Sequence, residues 1–433
     1  MEGSRSVPAR PGTNLPRIAD FNQAVILNAI RHAPEGLSRV ELAELTGLSA
    51  QSVSNITRRL LDRDLITEAG TLVPAGRGKP RTLLRLHPPG HFAIGVHIDP
   101  TVTTVVLLDL VGDVVASVRT LPASAASPPR LVTAVTHAVD GLLASTGADA
   151  RRVLGLGIAA PGPLDTGAGV VVAPPLLPEW TRVDLRDLLY GATGYPVVLH
   201  KDAAAAALAE LWRGPRGSAA AFADFVFLYM GTGLGAGLVV GGELLGGSTN
   251  NAGEIGHLMV TADGPRCNCG LRGCVGAACM PRNLVAEAAA AGLLPHPGAD
   301  AGDREVDELF TALCTLSARR DDDGRAARRI LEASAFRLAR GAATVSNLLD
   351  VRAVVVGGPT WERVREVFLP ILRDTLLTTT EARQVHPVTA LGSSLGPDVG
   401  AIGAGCLVLE HAFSTRPSTL LLGQRTDPVA ATS

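Results

Sequence analysis

Aromatic residues and lysine are the scarcest side chains in this chain of 433 residues. Aromatic residues make up only 3% of the sequence, and arginine carries almost all of the positive charge because the only lysines are Lys79 and Lys201. Long apolar runs are absent too, since runs such as 203–208 and 238–240 are far too short to cross a bilayer. The first 16 residues contain no apolar stretch of the signal-peptide kind. These absences predict a cytoplasmic protein that does not cross a membrane.

The balance of apolar and charged residues predicts a folded chain of about two or three domains. Hydrophobic residues amount to 46% and charged residues to 18%, which excludes an intrinsically disordered protein. The net charge is −2, but residues 1–88 hold 12 Arg and Lys against 8 Asp and Glu, which gives this segment +4 and leaves −6 for the remainder. A basic head on an acidic body fits a module that contacts DNA.

Residues 1–88 contain three short helical patterns in succession. The first covers 20–32, and the second starts at a capping box in which Ser38 and Glu41 can each bond the other's backbone. After a tight turn at 46–48, Ser49 can cap a third helix. We expect the three helices to pack into one small core.

The third predicted helix, 49–61, has an apolar stripe and a polar face. The stripe consists of Val53, Ile56 and Leu60. The polar face carries the candidate DNA contacts, which are Gln51, Ser52, Asn55, Arg58 and Arg59. Asn and Gln can pair with adenine in the major groove, and Arg can pair with guanine. The alternative is a small helical subdomain whose polar face only meets solvent.

A basic hairpin is predicted to follow the helices. Strands at 65–67 and 82–86 flank a turn at Gly70 and a flexible loop at 76–81. That loop adds three candidate DNA contacts: Arg77, Lys79 and Arg81. A hairpin tip can lie in the minor groove, where arginine is favoured electrostatically. The order of the elements resembles a winged helix-turn-helix, which implies double-stranded DNA as a partner.

Beyond a Pro-Pro-Gly linker at 88–90, strands alternate with helical stretches, which predicts an α/β fold. A glycine-rich run at 231–237 joins predicted strands at 225–230 and 238–240, and its backbone amides can approach phosphate oxygens closely. Its candidate phosphate contacts are Gly231, Thr232, Gly233 and Gly235. A crowded hairpin would need the same glycines. The strand and glycine turn at 354–359 likewise have a purely structural explanation.

A histidine and three cysteines lie close together downstream of the glycine run. They are His257, Cys267, Cys269 and Cys274. Three thiolates and one imidazole complete the tetrahedral shell that zinc prefers in structural sites. The alternative is a loop with free, reduced cysteines.

These motifs together resemble the signature of the ROK family (repressor, open reading frame, kinase). The glycine run, the Glu-Ile-Gly-His segment at 254–257 and the cysteine cluster carry the resemblance, and segments at 160–163, 201–210 and 391–404 match it further. The resemblance covers 17–411. It implies an actin-like (ribonuclease-H-like) body of two α/β lobes with ligands in the cleft, a zinc ion on the four residues named above, and a homodimer.

The resemblance also implies roles for residues in the cleft. In ROK kinases an aspartate takes the proton from the attacking sugar hydroxyl, and Asp202 matches that position. Glu254 and His257 match sugar-contacting positions, and Lys201 stands where the family has asparagine. These four residues are the candidate effector contacts. Asp202 is the candidate catalytic base if the chain is a kinase, but a carboxylate there can equally serve only to recognise a sugar.

Departures from the kinase pattern predict that the chain is not an enzyme. In the family's kinases an Asp-x-Gly-x-Thr motif lets the backbone approach the ATP phosphates closely. The corresponding segment begins here at Asp99, but Pro100 removes an amide donor and Thr101 replaces the glycine. A Pro-Asn-Leu sugar-binding segment is Pro-Pro-Leu at 174–176, and Gly276 replaces a glutamate after the last zinc cysteine. We therefore expect little or no phosphotransfer.

The predicted organisation is a flexible tail at 1–16, a winged helix-turn-helix domain at 17–88, a ROK domain at 89–411 and a second tail at 412–433. The leading hypothesis is a homodimeric repressor of carbohydrate-related genes that binds an inverted-repeat operator and responds to a sugar or sugar phosphate. Lys201 suggests an anionic effector, unless it pairs with Asp202 or Glu254. The alternatives are an ATP-dependent sugar kinase with a DNA-binding domain, and a constitutive DNA-binding protein with a vestigial pocket.

Overall fold

The computed structural model describes residues 15–72, 80–120, 122, 127–214, 223–298, 302–378 and 386–413. Contacts within the chain divide it into two compact units, Met1–His91 with Leu409–Ser433 and Phe92–Val408. The domain boundaries predicted from the sequence, after residues 16, 88 and 411, stay predictions.

The first unit begins with three helices and a small sheet. Its elements in chain order are α1 (Leu15–Arg31), β1 (Leu37–Ser38), α2 (Arg39–Thr46), α3 (Ala50–Asp62), β2 (Ile66–Leu72) and β3 (Arg81–Leu86). The strands form an antiparallel sheet in the order β1-β3-β2. Aliphatic side chains from the helices and the sheet form the core, among them Ile26, Leu42, Val53, Leu60 and Leu84. Apart from the two-residue strand β1, which was not predicted, this order of elements matches the sequence-based expectation.

Side-chain caps define where the helices of this unit begin. Glu41 accepts hydrogen bonds from the backbone N–H and the hydroxyl of Ser38, both at 2.7 Å, so the predicted capping box starts α2. These bonds hold the pKa of Glu41 below its usual value. Gly47 ends α2 in the left-handed conformation, and Ser49 accepts from the Ser52 N–H at 3.2 Å at the start of α3. The tight turn between α2 and α3 is therefore closed at both ends.

The predicted turn at Gly70 is wrong. Strand β2 continues through this residue, whose φ is 104°, and the pairing with β3 shifts register between Glu68 and Thr71. Glycine adopts this conformation at little cost, so the residue forms a bulge inside the strand.

The second unit opens with a lobe built on a five-stranded sheet. Its elements are β4 (Phe92–Ile98), β5 (Thr103–Asp109), β6 (Val114–Thr120), α4 (Pro128–Thr146), β7 (Val153–Ala160), β8 (Leu164–Asp165), β9 (Val170–Val172), β10 (Arg182–Val183), α5 (Leu185–Thr193) and β11 (Val197–Lys201). The sheet order is β11-β7-β4-β5-β6, with β4 to β6 antiparallel and β7 and β11 parallel to β4. Strands β8 to β10 form a small separate sheet.

The remainder of the unit forms a second lobe, and its last helix runs on past Val408, the last residue of the unit. Its elements are α6 (Asp202–Arg213), β12 (Phe225–Met230), β13 (Leu234–Val240), β14 (Glu243–Leu244), α7 (Val275–Cys279), α8 (Pro281–Ala290), α9 (Asp303–Ser317), α10 (Asp322–Leu349), β15 (Ala353–Gly357), α11 (Pro359–Thr378), β16 (Thr389–Gly392) and α12 (Val399–Phe413). The sheet order β14-β13-β12-β15-β16 repeats that of the first lobe, an antiparallel meander followed by two parallel strands. The predicted α/β, two-lobed body is thereby confirmed.

Two helices, α6 and α12, pack almost backbone to backbone against the sheets. A Cβ at Gly157 on β7 would overlap the backbone of α12, and a Cβ at Gly237 on β13 would overlap the backbone of α6. The two helices also meet each other, because a Cβ at Gly403 on α12 would overlap the backbone of α6. The two sheets are therefore linked through α6 and α12, and the first turn of α6 is held firmly between them.

Only part of the glycine run forms the turn that the sequence predicted for all of 231–237. Strand β13 begins at Leu234, so the turn is limited to 231–233. Gly235 and Gly237 are strand residues, two apart, whose missing side chains leave room for α6. Period-two glycines therefore serve helix packing here, whereas the sequence alone suggested a phosphate-binding loop along the whole run.

We expect Gly157→Ala to lower the free energy of unfolding of the second unit by about 1–3 kcal/mol, because the new methyl group must displace the backbone of α12. Gly141→Ala on α4 is the matched control, because its Cβ meets nothing and a helical alanine is about 0.5–1 kcal/mol better than glycine. Urea unfolding followed by tryptophan fluorescence measures both, since Trp180, Trp212 and Trp361 all lie in this unit. Equal stabilities of the two variants would contradict the packing described.

Candidate DNA-reading face, metal centre and effector cleft

Helix α3 presents the candidate DNA contacts on the side opposite its buried side chains. The buried residues are Val53, Ile56, Thr57 and Leu60. Among the candidate contacts Ser52 is half-buried, and the others are exposed: Gln51, Asn55, Arg58 and Arg59. The guanidinium of Arg39 on α2 donates to the Thr57 hydroxyl at 3.2 Å and so ties the two helices together. The polar face is thus a surface of a well-packed helix.

The hairpin contributes one described candidate contact. Arg81, the first residue of β3, is exposed. Arg77 and Lys79 lie outside the described residues. Their proposed contacts with DNA stay predictions.

The histidine and the three cysteines converge in space. The ligand atoms of His257, Cys267, Cys269 and Cys274 all lie within 4.8 Å of one another. The Cys267 sulfur is 3.4 Å from His257 Nδ1, and the sulfurs of Cys269 and Cys274 are 3.6 Å apart. Such a donor set fits a tetrahedral metal ion of the zinc type.

The chain between these residues is folded to bring the donors together. Gly270 and Gly273 adopt positive φ angles of 91° and 74°, which lets the loop reverse between the cysteines. The Cys267 N–H donates to the Leu271 carbonyl at 2.8 Å and closes the turn. A hydrogen bond from the Leu271 backbone lowers the pKa of Cys269 to about 7, so this thiol ionises readily for metal binding.

Lys201 and Glu254 form an ion pair in the cleft. Lys201 is the last residue of β11, and its ammonium lies 2.8 Å from Glu254 Oε2 and 3.4 Å from the Asn251 carbonyl. The lysine side chain is only 5% exposed, whereas that of Glu254 is 62% exposed. Glu254 is therefore the accessible member, and its carboxylate shields the ammonium behind it.

Asp202 begins α6 next to this pair. Its Oδ1 accepts a hydrogen bond from the Ala203 N–H at 2.6 Å, as expected for a carboxylate at a helix N-terminus. Burial raises the pKa of Asp202, and the nearby charges of His97 and Lys201 partly counteract this shift. The candidate effector residues thus fall into two groups. Asp202 lies at the start of α6, whereas Glu254 and His257 lie at the two ends of a short 3-10 turn. The ion pair between Lys201 and Glu254 connects the two groups.

The two candidate phosphate-binding segments bond to each other. The Thr232 hydroxyl, from the glycine turn, lies 3.0 Å and 3.2 Å from the two carboxylate oxygens of Asp99. Thr101 donates its backbone N–H at 2.8 Å and its hydroxyl at 2.6 Å to the same carboxylate. Asp99 is therefore surrounded by the protein's own donors.

A second polar link, not predicted from the sequence, lies beside Asp99. The Tyr229 hydroxyl on β12 is 3.3 Å from His97 Nε2 on β4, and their rings meet edge to face. Burial raises the pKa of Tyr229, so its hydroxyl stays protonated. The sequence does contain a signal for this pair, because His97 and Tyr229 are each a polar residue within an otherwise apolar strand. Both strands are completely buried in the structure.

Asn251 was missed as well. Its side-chain carbonyl accepts from the Leu164 N–H at 2.8 Å, and its amide donates to the Leu164 carbonyl at 2.7 Å. This pair of bonds joins the loop before Glu254 to the first lobe. A single asparagine among several loop residues offered no periodic pattern from which to infer it.

None of the described helices combines the length and the apolar composition needed to span a membrane.

Comparison with known proteins gives matches for both parts of the chain. The sequence profile of the ROK family matches residues 93–411, and that of the MarR family matches residues 14–71. A xylose repressor of Caldicellulosiruptor bescii is 25% identical over 386 residues, which are 87% of this chain and 93% of that protein. An N-acetylmannosamine kinase of Escherichia coli is 32% identical over 289 residues, 67% of this chain and 89% of that protein.

Among solved structures, a ROK family transcriptional regulator, a homologue of the Escherichia coli Mlc protein, shares the fold. The TM-score is 0.73 at 22% identity, over 94% of this chain and 99% of that chain. Similarity to this regulator and to the xylose repressor extends beyond the ROK-matched segment, whereas the kinase match covers two thirds of the chain.

We expect purified protein to carry roughly one zinc ion per chain, and Cys274→Ser to abolish this binding because a closed tetrahedral site needs all four ligands. Cys314→Ser is the control, since this cysteine lies on α9 outside the cluster. Atomic emission spectroscopy of the two variants and the wild type measures the metal content. Zinc retained in full by Cys274→Ser would show that the cluster is not the site.

Proposed function

Because the chain belongs to the ROK family, we propose that it is a DNA-binding transcriptional repressor of carbohydrate-related genes, controlled by a sugar-type effector in the cleft of its body. The observation that carries the proposal is the exposed polar face of α3 at the head of a chain whose similarity to a xylose repressor spans 87% of its length. A sugar kinase has no use for such a face.

In this proposal α3 enters the major groove, and the β2–β3 hairpin lies beside it on the duplex. Two heads of a homodimer contact the two halves of an inverted-repeat operator, since a twofold dimer matches a twofold site. Arg81, together with Arg77 and Lys79, contacts phosphates and adds affinity that falls with salt.

The effector binds where Asp202 and Glu254 offer carboxylate oxygens to hydroxyl donors. The Lys201 ammonium is already bound to Glu254 and almost inaccessible, so Lys201 offers no free positive charge to a phosphorylated or acidic sugar. The ion pair therefore favours a neutral sugar over the anionic effector that Lys201 alone suggests. The effector shifts the equilibrium between two arrangements of the lobes and thereby changes operator affinity.

The same cleft is poorly suited to phosphoryl transfer. A nucleotide phosphate would have to displace the hydroxyl of Thr232 from the Asp99 carboxylate, and Thr101 carries a branched side chain on the approach. Pro100 supplies no amide donor. We infer that the chain senses its ligand without transforming it.

An ATP-dependent sugar kinase is the second candidate function. One observation favours it: Asp202 stands at the start of α6 with a raised pKa, as a general base for a sugar hydroxyl would. The substituted phosphate segments and the extended match with repressors weigh against it.

Zinc is the metal we propose for the cysteine cluster. His257, Cys267, Cys269 and Cys274 would hold it, and a closed tetrahedral site of this kind is structural. Since His257 follows Glu254 by three residues, metal binding orders the turn that presents Glu254 to the effector.

We expect Arg58→Ala to weaken binding to genomic fragments retained by the wild type by about tenfold or more, because a bidentate contact with guanine is lost. Arg340→Ala removes another exposed arginine, from α10 in the body, and should leave the affinity unchanged. Fluorescence anisotropy with labelled fragments measures both. Equal affinities of the two variants would exclude α3 as the DNA-reading helix.

We expect no phosphorylated product when the protein is incubated with Mg-ATP and a panel of neutral pentoses and hexoses, although one of these sugars binds in isothermal titration. Glu254→Gln should weaken that binding about tenfold, because a charge-assisted hydrogen bond becomes a neutral one. Brisk turnover that disappears in Asp202→Asn would establish the kinase instead.

A further inference from the structure

Three residues of α3 form a continuous hydrogen-bonded row on its exposed face. Gln51, Asn55 and Arg58 are spaced by four and then three positions, so they lie along one stripe of the helix. This stripe points away from the buried residues of α3. It is therefore the part of the helix that would reach deepest into a groove.

The carboxamide oxygen of Asn55 is the common acceptor of the row. Arg58 Nη2 donates to Asn55 Oδ1 at 2.7 Å, and Gln51 Nε2 donates to the same atom at 3.3 Å. A carboxamide oxygen has two lone pairs, and both are used by these donors. Reading an adenine requires the oxygen and the NH₂ group of the amide together. Asn55 in this arrangement has no oxygen left for an adenine.

Arg58 keeps enough donors to bind a base. A guanidinium has five N–H groups, of which the bond to Asn55 uses one, so a fork of two remains for guanine O6 and N7. The bond also restricts a long, flexible side chain to one orientation before DNA arrives, which lowers the entropic cost of binding.

We propose that Asn55 is a positioning residue, which orients Arg58 toward a guanine of the operator and does not itself recognise a base. This inference rests on the proposed DNA-binding function. Gln51 keeps a free carbonyl oxygen and one free amide hydrogen. It is the residue of the row that can recognise an adenine, at a base pair distinct from that of Arg58, since the two lie about 10 Å apart along the helix axis.

The test uses the full chain and a duplex that the wild-type protein selects from a random library. Every base pair of one half-site is then replaced in turn, and the affinity for each duplex is measured. Arg58→Ala should reduce discrimination at one G·C pair about tenfold. Asn55→Ala should reduce discrimination at that same pair, and the double variant should be no worse than Arg58→Ala alone. Arg59 lies on the flank of the stripe, so Arg59→Ala should lower the affinity for all duplexes alike.

Asn55→Asp separates positioning from direct recognition. Aspartate keeps an acceptor oxygen for Arg58 but has no NH₂ group, so guanine discrimination should persist although overall affinity falls through repulsion by phosphates. Loss of preference at an A·T pair in Asn55→Asp, or additive effects of Asn55→Ala and Arg58→Ala at two different pairs, would overturn the inference. Failure of the wild type to enrich any duplex would instead overturn the proposed function on which it rests.

Discussion

The structure of the body depends on the contact of α6 and α12 with the two sheets at backbone distance. Glycines at 157, 237 and 403 make this contact possible, because any side chain there would enter the backbone of a helix. The first turn of α6 is thereby placed between the lobes, and Asp202 begins that turn. The position of the proposed effector site thus follows from the packing of glycines against helix backbone, while the polar side chains line what the packing creates.

Local signals in the sequence predicted much of the head and of the metal cluster. The capping box of Ser38 and Glu41 predicted the start of α2, because both partners of the interaction lie three residues apart. The cysteines from Cys267 to Cys274 likewise signal their chemistry through close spacing. Gly70 shows the limit of this reasoning, since a turn and a bulge both require positive φ and only the pairing with β3 distinguishes them.

The interactions that shape the cleft join residues that are distant in the chain. Lys201 meets Glu254 across 53 positions, and Asp99 meets Thr232 across 133, so no periodicity or spacing connects the partners. The sequence left the choice open between an exposed lysine that attracts an anion and a lysine already neutralised. Burial decides it, because an ammonium that is 5% exposed requires a partner. The proposed effector class thus depends on tertiary structure.

The glycine at 157 also has a genetic consequence. Every amino acid that one nucleotide change can substitute for glycine has a Cβ, so no mild replacement is within reach of a single mutation at this site. The framework between the sheets is consequently a place where variation is removed by selection, whereas the loop that carries Asn251 and Glu254 has this backbone conflict at Gly253, whose Cβ would overlap the backbone of Ala236. New ligand preferences in descendants of this chain would therefore arise by exchange of loop residues around an unchanging pair of helices.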